Sequence, residues 1–429
     1  MTTSRTGASR DVLPLRTTRP SARLARALLS ELTRHPGPKS ALLVGVPADS
    51  PVLAGALDAT TTEDRLVVLA DAGSIEAPAQ VAELASTRPD RVEVVDSLAD
   101  AKPCDVVIVA QPLAGPAAAA AELLAELREL VAPGGVLVVA TAARMTDPAA
   151  AELADLTDRH GVGSDLLLRH RPALRVHRLR FTPAEPALAE RLAPVTRPSS
   201  VPLTGGMHLD SNGVAAGVAC LGLALLAKRA RPSSKLWLVP ALAAVPAAAF
   251  FRDPQRTTPT DPDAVVAASD GTVLGIEQLH DDKFGVGDGD WLRIAVFLSV
   301  LDVHVNRAPV AGRVIEVFRE TGGYAPAMKA AAEHNVAAYT VLETPHGPVV
   351  VAQRTGLVAR RIVHRVPVGG LLARGERFGL IRFGSRTDVY LPAGAAEAVV
   401  APGDKVAGGA TVIARWQPNQ PAPRALRRG

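Results

Sequence analysis

Between residues 38 and 190 the chain alternates short valine-rich runs with longer stretches of helical period. ALLVGV (41–46), RLVVLA (65–70), RVEVVD (91–96), DVVIVA (105–110) and GVLVVAT (135–141) are continuous apolar runs, as expected for strands covered on both faces. Helical stretches separate them, the clearest being GPAAAAAELLAELRELV (115–131). This alternation predicts a doubly wound, largely parallel α/β sheet. From Arg252 onward the texture changes to β-rich runs punctuated by Gly and Pro: VVAAS, WLRIAVFLSV, RVIEVF, AYTVLET, GPVVVAQ, LVARRIVHRV, FGLIRFG and DVYLP. These predict a compact, mainly antiparallel β domain with one helix near 325–333.

Two apolar runs lie between these regions, GVAAGVACLGLALLA (213–227) and LWLVPALAAVPAAAFF (236–251). Each is shorter than the ~20 residues a helix needs to cross a bilayer. Pro240 and Pro246 interrupt the second, and Lys228, Arg229, Arg231 and Lys235 separate the two. The pattern suits a shallow hairpin with its cations at lipid headgroups on the cytoplasmic face of the cell membrane. A pair of buried core helices is the alternative. The expected organisation is a basic disordered arm (1–37), an α/β domain (38–190) and a linker (191–212). A membrane-associating hairpin (213–251), a mainly-β (α+β) domain (252–418) and a disordered tail (419–429) follow.

Composition alters this picture little. At 429 residues the chain is too long for one ordinary core. A net charge of +4 carries no nucleic-acid signature and is compatible with an anionic membrane surface. Cys104 and Cys220 offer no disulfide framework or zinc spacing, and the histidines show no HxH or HExxH pattern, so no metal site is expected. The arginine-rich N-terminus lacks the apolar core of a signal peptide, although 21–33 (SARLARALLSELT) has the period of a short helix.

The passage LRELVAPGGVLVVATA (127–142) resembles the helix–turn–strand segment of class I methyltransferases, implying a Rossmann-like fold for the first domain. Those enzymes hold their cofactor on a glycine-rich first turn. Here that turn is VGVPADSP (44–51), with the single glycine Gly45, and Asp71 stands where a ribose-binding acid would follow the second strand. The expectation is a degenerate, non-catalytic domain that does not bind S-adenosylmethionine.

Four segments of the C-terminal region, FFRDPQR (250–256), ASDGTV (268–273), FLSVLDVHVNRAPVAGRV (297–314) and FGLIRFGSRTDVYLP (378–392), resemble the phosphatidylserine decarboxylases in their shorter form. The resemblance implies a self-processing enzyme that converts phosphatidylserine to phosphatidylethanolamine and CO2. Decarboxylating an amino acid requires an electron sink that no side chain provides. In this family the sink is a pyruvoyl group made from the chain's own serine, and the substrate amine joins it as a Schiff base. Mapped onto this sequence, Ser385 becomes the cofactor and the cut falls between Gly384 and Ser385. The products would be a β chain (1–384) and an α chain (385–429). His304 would be the base, with Asp270 orienting it; longer members carry a second histidine where Arg307 stands here. Arg382 and Arg386, with Arg360, Arg361 and Arg365 nearby in sequence, are candidates for the substrate phosphate.

The implied partner is phosphatidylserine in an anionic membrane, with no nucleic acid; association into a homo-oligomer is left open. Two alternatives also stay open. One is a pyruvoyl decarboxylase of a related serine-headgroup lipid or a small amino acid. The other is a lipid-binding protein that is never processed.

Overall fold

A computed structural model describes residues 13–16, 20–144, 147–167, 170–195, 200–203, 205–357, 361–382 and 385–417. Gly384, Arg360 and the tail from 418 onward lie outside these residues. The chain divides into two compact units, Met1–Ala184 and Glu185–Gly429. The division falls a few residues before the expected domain boundary at 190.

In the first unit the five predicted strands appear as β1 (Ser40–Val46), β2 (Arg65–Ala70), β3 (Val92–Val95), β4 (Cys104–Val109) and β5 (Val131–Ala142). Two strands that the apolar pattern did not reveal, β6 (Gly161–Leu167) and β7 (Leu174–Leu179), complete the sheet in the order β3-β2-β1-β4-β5-β7-β6. β1 to β5 are parallel, and the β6–β7 hairpin joins antiparallel to β5. The reversal between β1 and β4 is that of a doubly wound sheet.

Alternation along each strand sorts the core into two layers. Leu43, Val68 and Ile108 face a layer shared with Leu24, Leu28 and Leu32. Leu42, Val67 and Val107 face the other, shared with Leu123, Leu124 and Leu127. Leu24, Leu28 and Leu32 belong to helices α1 (Ala22–Leu28) and α2 (Ser30–Arg34). The short helix expected at 21–33 therefore exists as this helix pair, and for these residues it corrects the expectation of a disordered arm over 1–37. Its leucines are core side chains, 0–1% exposed, because an amphipathic segment of this kind gains far more from burial than from staying solvated.

The second unit begins with a short helix (Pro186–Arg191), and the expected linker contains two strands, Ser200–Pro202 and Met207–Asp210. Its ladders are antiparallel, as predicted. An eight-stranded sheet carries Ser385–Pro392 near its middle, between Gly347–Arg354 and Asp290–Leu298. A three-stranded sheet pairs Val305–Arg307 and Arg361–His364 with Arg377–Arg382. The helix expected near 325–333 is only a 3-10 turn, Ala330–His334.

The two apolar runs form helices Ser211–Ala230 and Leu238–Ala249, which pack together through small residues. A side chain at Gly217 would sit 3.5 Å from Ala248 Cβ, and one at Gly213 would meet Phe251 Cβ at 2.8 Å. The first helix is longer than its apolar run suggested. Asp210 caps its start by accepting from the Asn212 N–H, and Lys228 and Arg229 extend its last turn, giving 20 residues. Among the described residues it is the one helix long and apolar enough to cross a membrane.

Candidate active site

Ser385 is the first residue of its strand and pairs with Leu298, so its side chain lies on the same sheet face as Thr387 and Val389. That face covers the main hydrophobic core of the unit, and Ser385 is completely buried. Among the described residues its Oγ has no hydrogen-bond partner. A buried hydroxyl left in this state costs stability, so its presence calls for an explanation other than packing.

His304 stands immediately before Val305–Arg307, and its carbonyl accepts from the Ile381 N–H at 3.2 Å. It is 1% exposed and stacks against Phe250, ring centroids 4.2 Å apart. Phe250 comes from the FFRDPQR motif at the foot of the second helix, so the apolar hairpin forms one wall of the histidine's pocket. Nδ1 lies 2.9 Å from the Asp302 carbonyl oxygen, to which it can only donate; this leaves Nε2 as the basic nitrogen, and Nε2 is unpartnered. Burial pushes the ring's pKa down to about 4, against a smaller opposing pull from Asp302. His304 is therefore neutral at pH 7 and able to accept a proton.

The expected role of Asp270 is corrected. Its carboxylate binds Arg256 at 2.7 Å and the Gly408 N–H at 2.7 Å. Among the described residues no hydrogen bond or ion pair joins Asp270, His304 and Ser385. The orienting group on His304 is instead the Asp302 backbone carbonyl, fixed by a turn in which the Asp302 carboxylate accepts from the Ser299 N–H and hydroxyl, each at 2.7 Å. Burial raises the pKa of Asp270 despite the Gly408 N–H and Arg256, so it remains a titratable group beside the site.

Arg307, in the position of the second histidine of longer relatives, is a buried lock. It donates to Asp253 at 2.9 Å and to the carbonyls of Pro254 and Gly375 at 2.8 and 3.2 Å, tying the FFRDPQR segment to the β domain.

Arg386 is also corrected. Strand alternation turns it to the face opposite Ser385, where its Nε donates to Asp388 at 2.6 Å. Arg354 donates to the other carboxylate oxygen at 2.7 Å and to the Tyr390 hydroxyl at 3.1 Å. Asp388 is completely buried; burial works against its charge, but Arg386 and Arg354 outweigh it and hold its pKa below the usual carboxylate range. This is a structural cluster beneath the site.

Arg382 differs. It lies directly opposite Arg361 across a strand pair, an arrangement that is repulsive unless an anion or another partner intervenes. Its guanidinium reaches Asn212 in the first turn of the hairpin and lies 5.8 Å from the Phe251 ring centroid. Burial, and then Arg361, lower its pKa. A cavity of about 320 Å³ lined by Arg319, Arg361 and His364 adjoins this pair.

Sequence reasoning missed Asn306 and Gln353. Both are completely buried, and the Gln353 amide donates to Asn306 Oδ1 at 2.7 Å. Nearby, the hydroxyls of Ser269 and Thr387 are 2.7 Å apart. The available signals were that Asn306 shares the strand face of His304 two residues earlier, and that Gln353 is a polar residue ending an apolar run, VVVAQ.

In the first unit, the crevice at the carboxyl ends of β1 and β4 is filled. Gly45 has φ +68°, and a Cβ there would lie 2.2 Å from Leu15 Cδ1. Leu15 bridges to Leu113, and the Arg16 N–H donates to the Pro112 carbonyl. Asp71 is engaged by Gln111 at 2.8 Å and by the Gly73 N–H at 2.9 Å, while Gln111 also donates to the Gly45 carbonyl. Among the described residues no group of three or more His, Cys, Asp or Glu side chains is placed to hold a metal.

Comparison with known proteins places these features in context. Residues 246–414 match the family model described as phosphatidylserine decarboxylase. The phosphatidylserine decarboxylase proenzyme of Carboxydothermus hydrogenoformans is 43% identical over 167 residues, 39% of this chain and 78% of that protein. The proenzyme of the same name from Mycobacterium bovis is 47% identical over 176 residues, 40% of this chain and 76% of that protein. Among solved structures, a putative O-methyltransferase from Klebsiella pneumoniae aligns at 12% identity and TM-score 0.29, covering 39% of this chain and 84% of that one. The chain belongs to the phosphatidylserine decarboxylase family.

Proposed function

We propose that this chain is a proenzyme that cuts itself between residues 384 and 385 and then decarboxylates phosphatidylserine to phosphatidylethanolamine. The observation that carries this reading is that two groups in the family's motifs, Ser385 Oγ and His304 Nε2, are both buried with no hydrogen-bond partner among the described residues. A neutral histidine with a free Nε2 is the group needed to take the serine proton.

In self-cleavage the Ser385 oxygen attacks the carbonyl carbon of residue 384, and the amide nitrogen leaves to give an ester. Removal of the proton on the Cα of residue 385 then expels the ester oxygen. This produces a carboxylate on residue 384 and a dehydroalanine at 385. Tautomerisation and hydrolysis release ammonia and leave a ketone. The pyruvoyl group so formed supplies the electron sink for decarboxylation. In this reading His304 moves protons in the pocket, Phe250 excludes water from its ring, and Arg382 with Arg361 supplies positive charge for the substrate phosphodiester.

The substrate is a lipid, and the hairpin supports a lipid surface as the working environment. Val218, Leu225, Leu242 and Val245 are 63–75% exposed on the two helices, a patch no solvated monomer would favour. The strand entering the first helix, Met207–Asp210, is hydrogen-bonded to the strand leaving the second, Arg252–Pro254. The chain therefore re-emerges where it entered, and the second helix, 12 residues long, spans only about 18 Å. We infer an interfacial anchor on the cytoplasmic face, with Lys228 over the Trp237 ring at the headgroup end. The first unit is assigned no S-adenosylmethionine chemistry, because Leu13, Leu15 and Gln111 occupy the crevice.

Mass spectrometry of the purified chain tests the proposal. The expected result is two chains ending and beginning at the 384–385 bond, the shorter carrying a ketone in place of its amine. Ser385→Ala should remain one 44.6 kDa chain with decarboxylation at background. An uncut wild-type chain, or turnover by the alanine variant, would overturn it.

A further inference from the structure

The Asn306–Gln353 amide pair has no part in the chemistry described above, yet it occupies the centre of the site. Asn306 follows His304 on one strand face, and Gln353 is the register partner of Thr387, which follows Ser385 on another. The 2.7 Å bond between the two amides thus joins the strand that follows His304 to Gly347–Arg354, the strand laddered beside the serine's. The pair is packed against Gly379: a Cβ there would lie 2.9 Å from Gln353 Nε2 and 2.5 Å from the Val363 carbonyl oxygen.

Each amide has spent only part of its capacity. Asn306 Nδ2 and Gln353 Oε1 are buried without partners, alongside His304 Nε2 and Ser385 Oγ. Turning both amides over exchanges which residue offers which group, but the pair still presents one spare NH2 and one spare carbonyl. A fully buried amide pair that only cross-linked two strands would be expected to satisfy both groups. One donor and one acceptor side by side match a ligand that itself carries an acceptor and a donor on one carbon, and the serine headgroup does so with its carboxylate and amine.

Resting on the decarboxylase reading, we propose that Asn306 and Gln353 form the headgroup clamp, the spare NH2 binding the substrate carboxylate and the spare carbonyl accepting from its amine. They are specificity residues for an amino-acid headgroup, placed so that the amine arrives beside the residue that Ser385 becomes. Phosphatidylethanolamine keeps the amine but lacks the carboxylate, so the clamp favours substrate over product.

The test uses Asn306→Asp and Gln353→Glu, which keep the shape of the pair while replacing NH2 by an oxygen, together with Asn306→Ala and Gln353→Ala. Each variant is first checked for folding by thermal unfolding and for cleavage by mass spectrometry. KM for short-chain phosphatidylserine and Ki for short-chain phosphatidylethanolamine are then measured. Capture of each lipid on the 385–429 chain by cyanoborohydride, read by mass, gives a measure independent of turnover. KM for phosphatidylserine should rise roughly 10- to 100-fold, as for loss of a hydrogen bond to a charged group. In the Asn306 variants the Ki for phosphatidylethanolamine should stay within about threefold and capture should lose its preference for the serine lipid. Gln353→Ala, which removes the acceptor for the amine that both lipids carry, should weaken both. Equal shifts for both lipids in the Asn306 variants, or none, overturn the clamp. Folded but uncut chains in the isosteric variants also overturn it, since the pair would then serve self-cleavage. If the wild-type chain is itself uncut, the decarboxylase reading fails first.

Discussion

The crevice of the first unit and the motif region of the second treat their buried polar groups in opposite ways. In the first, the crevice where a doubly wound sheet would take a ligand is closed by Leu13 and Leu15, and Asp71 is satisfied by Gln111 and a backbone N–H. Among the described residues of that crevice, Gln111 Oε1 is the one buried side-chain atom left over. Among the described residues of the second, Ser385 Oγ, His304 Nε2, Asn306 Nδ2 and Gln353 Oε1 are buried with nothing to bind, on segments linked by the Asn306–Gln353 bond. A satisfied interior holds a fold together, whereas a clustered deficit is tolerated only where something else offsets its cost. Ligand chemistry is thus to be sought where the hydrogen-bond accounting fails to close.

The largest test of this contrast removes His304. His304→Ala should slow self-cleavage by about 10²- to 10⁴-fold, followed by the disappearance of the intact chain on gels. The acid limb of the wild-type cleavage profile should fall near pH 4 and not near 6.5, because burial holds the ring neutral down to that pH. The sign for stability follows: the unfolded ring binds its proton near 6.5 and the folded one only near 4. His304 therefore contributes stability above pH 6.5 that is lost as pH falls from 6.5 toward 4. A cleavage profile centred at 6.5 would mean the pocket is wet.

A smaller effect separates the two faces of the Ser385 strand. Asp388→Asn leaves Arg354 and Arg386 buried without their counter-charge and should cost about 3–5 kcal/mol in denaturant unfolding. The KM of the variant that still folds should be unchanged; a raised KM would return Arg386 to the substrate side. The smallest effects lie in the first unit. Gly45→Ala forces a side chain into left-handed backbone against Leu15 and should cost about 1–3 kcal/mol. S-adenosylmethionine should give no heat on titration and no shift in the unfolding of that unit. Measurable binding would show that the Leu15 segment is displaced.

Much of this was legible in the sequence. Val-rich runs located β1 to β5 because strands covered on both faces have no polar positions to confuse the reading. Four motifs located Ser385 and His304. What stayed hidden depends on direction and distance. Alternation sends Arg386 away from Ser385, but only the register with Arg354 and Asp388 shows what it meets there. Asp270 carried the family's expectation, yet its partner Arg256 comes from another segment. β6 and β7, with charged residues such as Asp165, Arg175 and Arg178 among their apolar ones, gave no continuous run to detect. The 3-10 turn at Ala330–His334 shows the converse error, a helix expected near 325–333 that the chain builds only as a single short turn.

If the cut falls before Ser385 as proposed, the position of that residue at the head of a central strand has a consequence for the processed molecule. Residues 385–392 are laddered to both neighbours, and Ala396–Ala398, Lys405–Val406 and Val412–Trp416 each join a sheet beyond. The severed segment therefore stays woven into the β domain, and the mature enzyme is in effect a fragment-complemented protein. Its folding was paid for as one chain, but its unfolding releases two. Recovery of the cut form must then depend on protein concentration, while the uncut chain refolds at any dilution. Maturation in this fold is a thermodynamic ratchet as well as a chemical one.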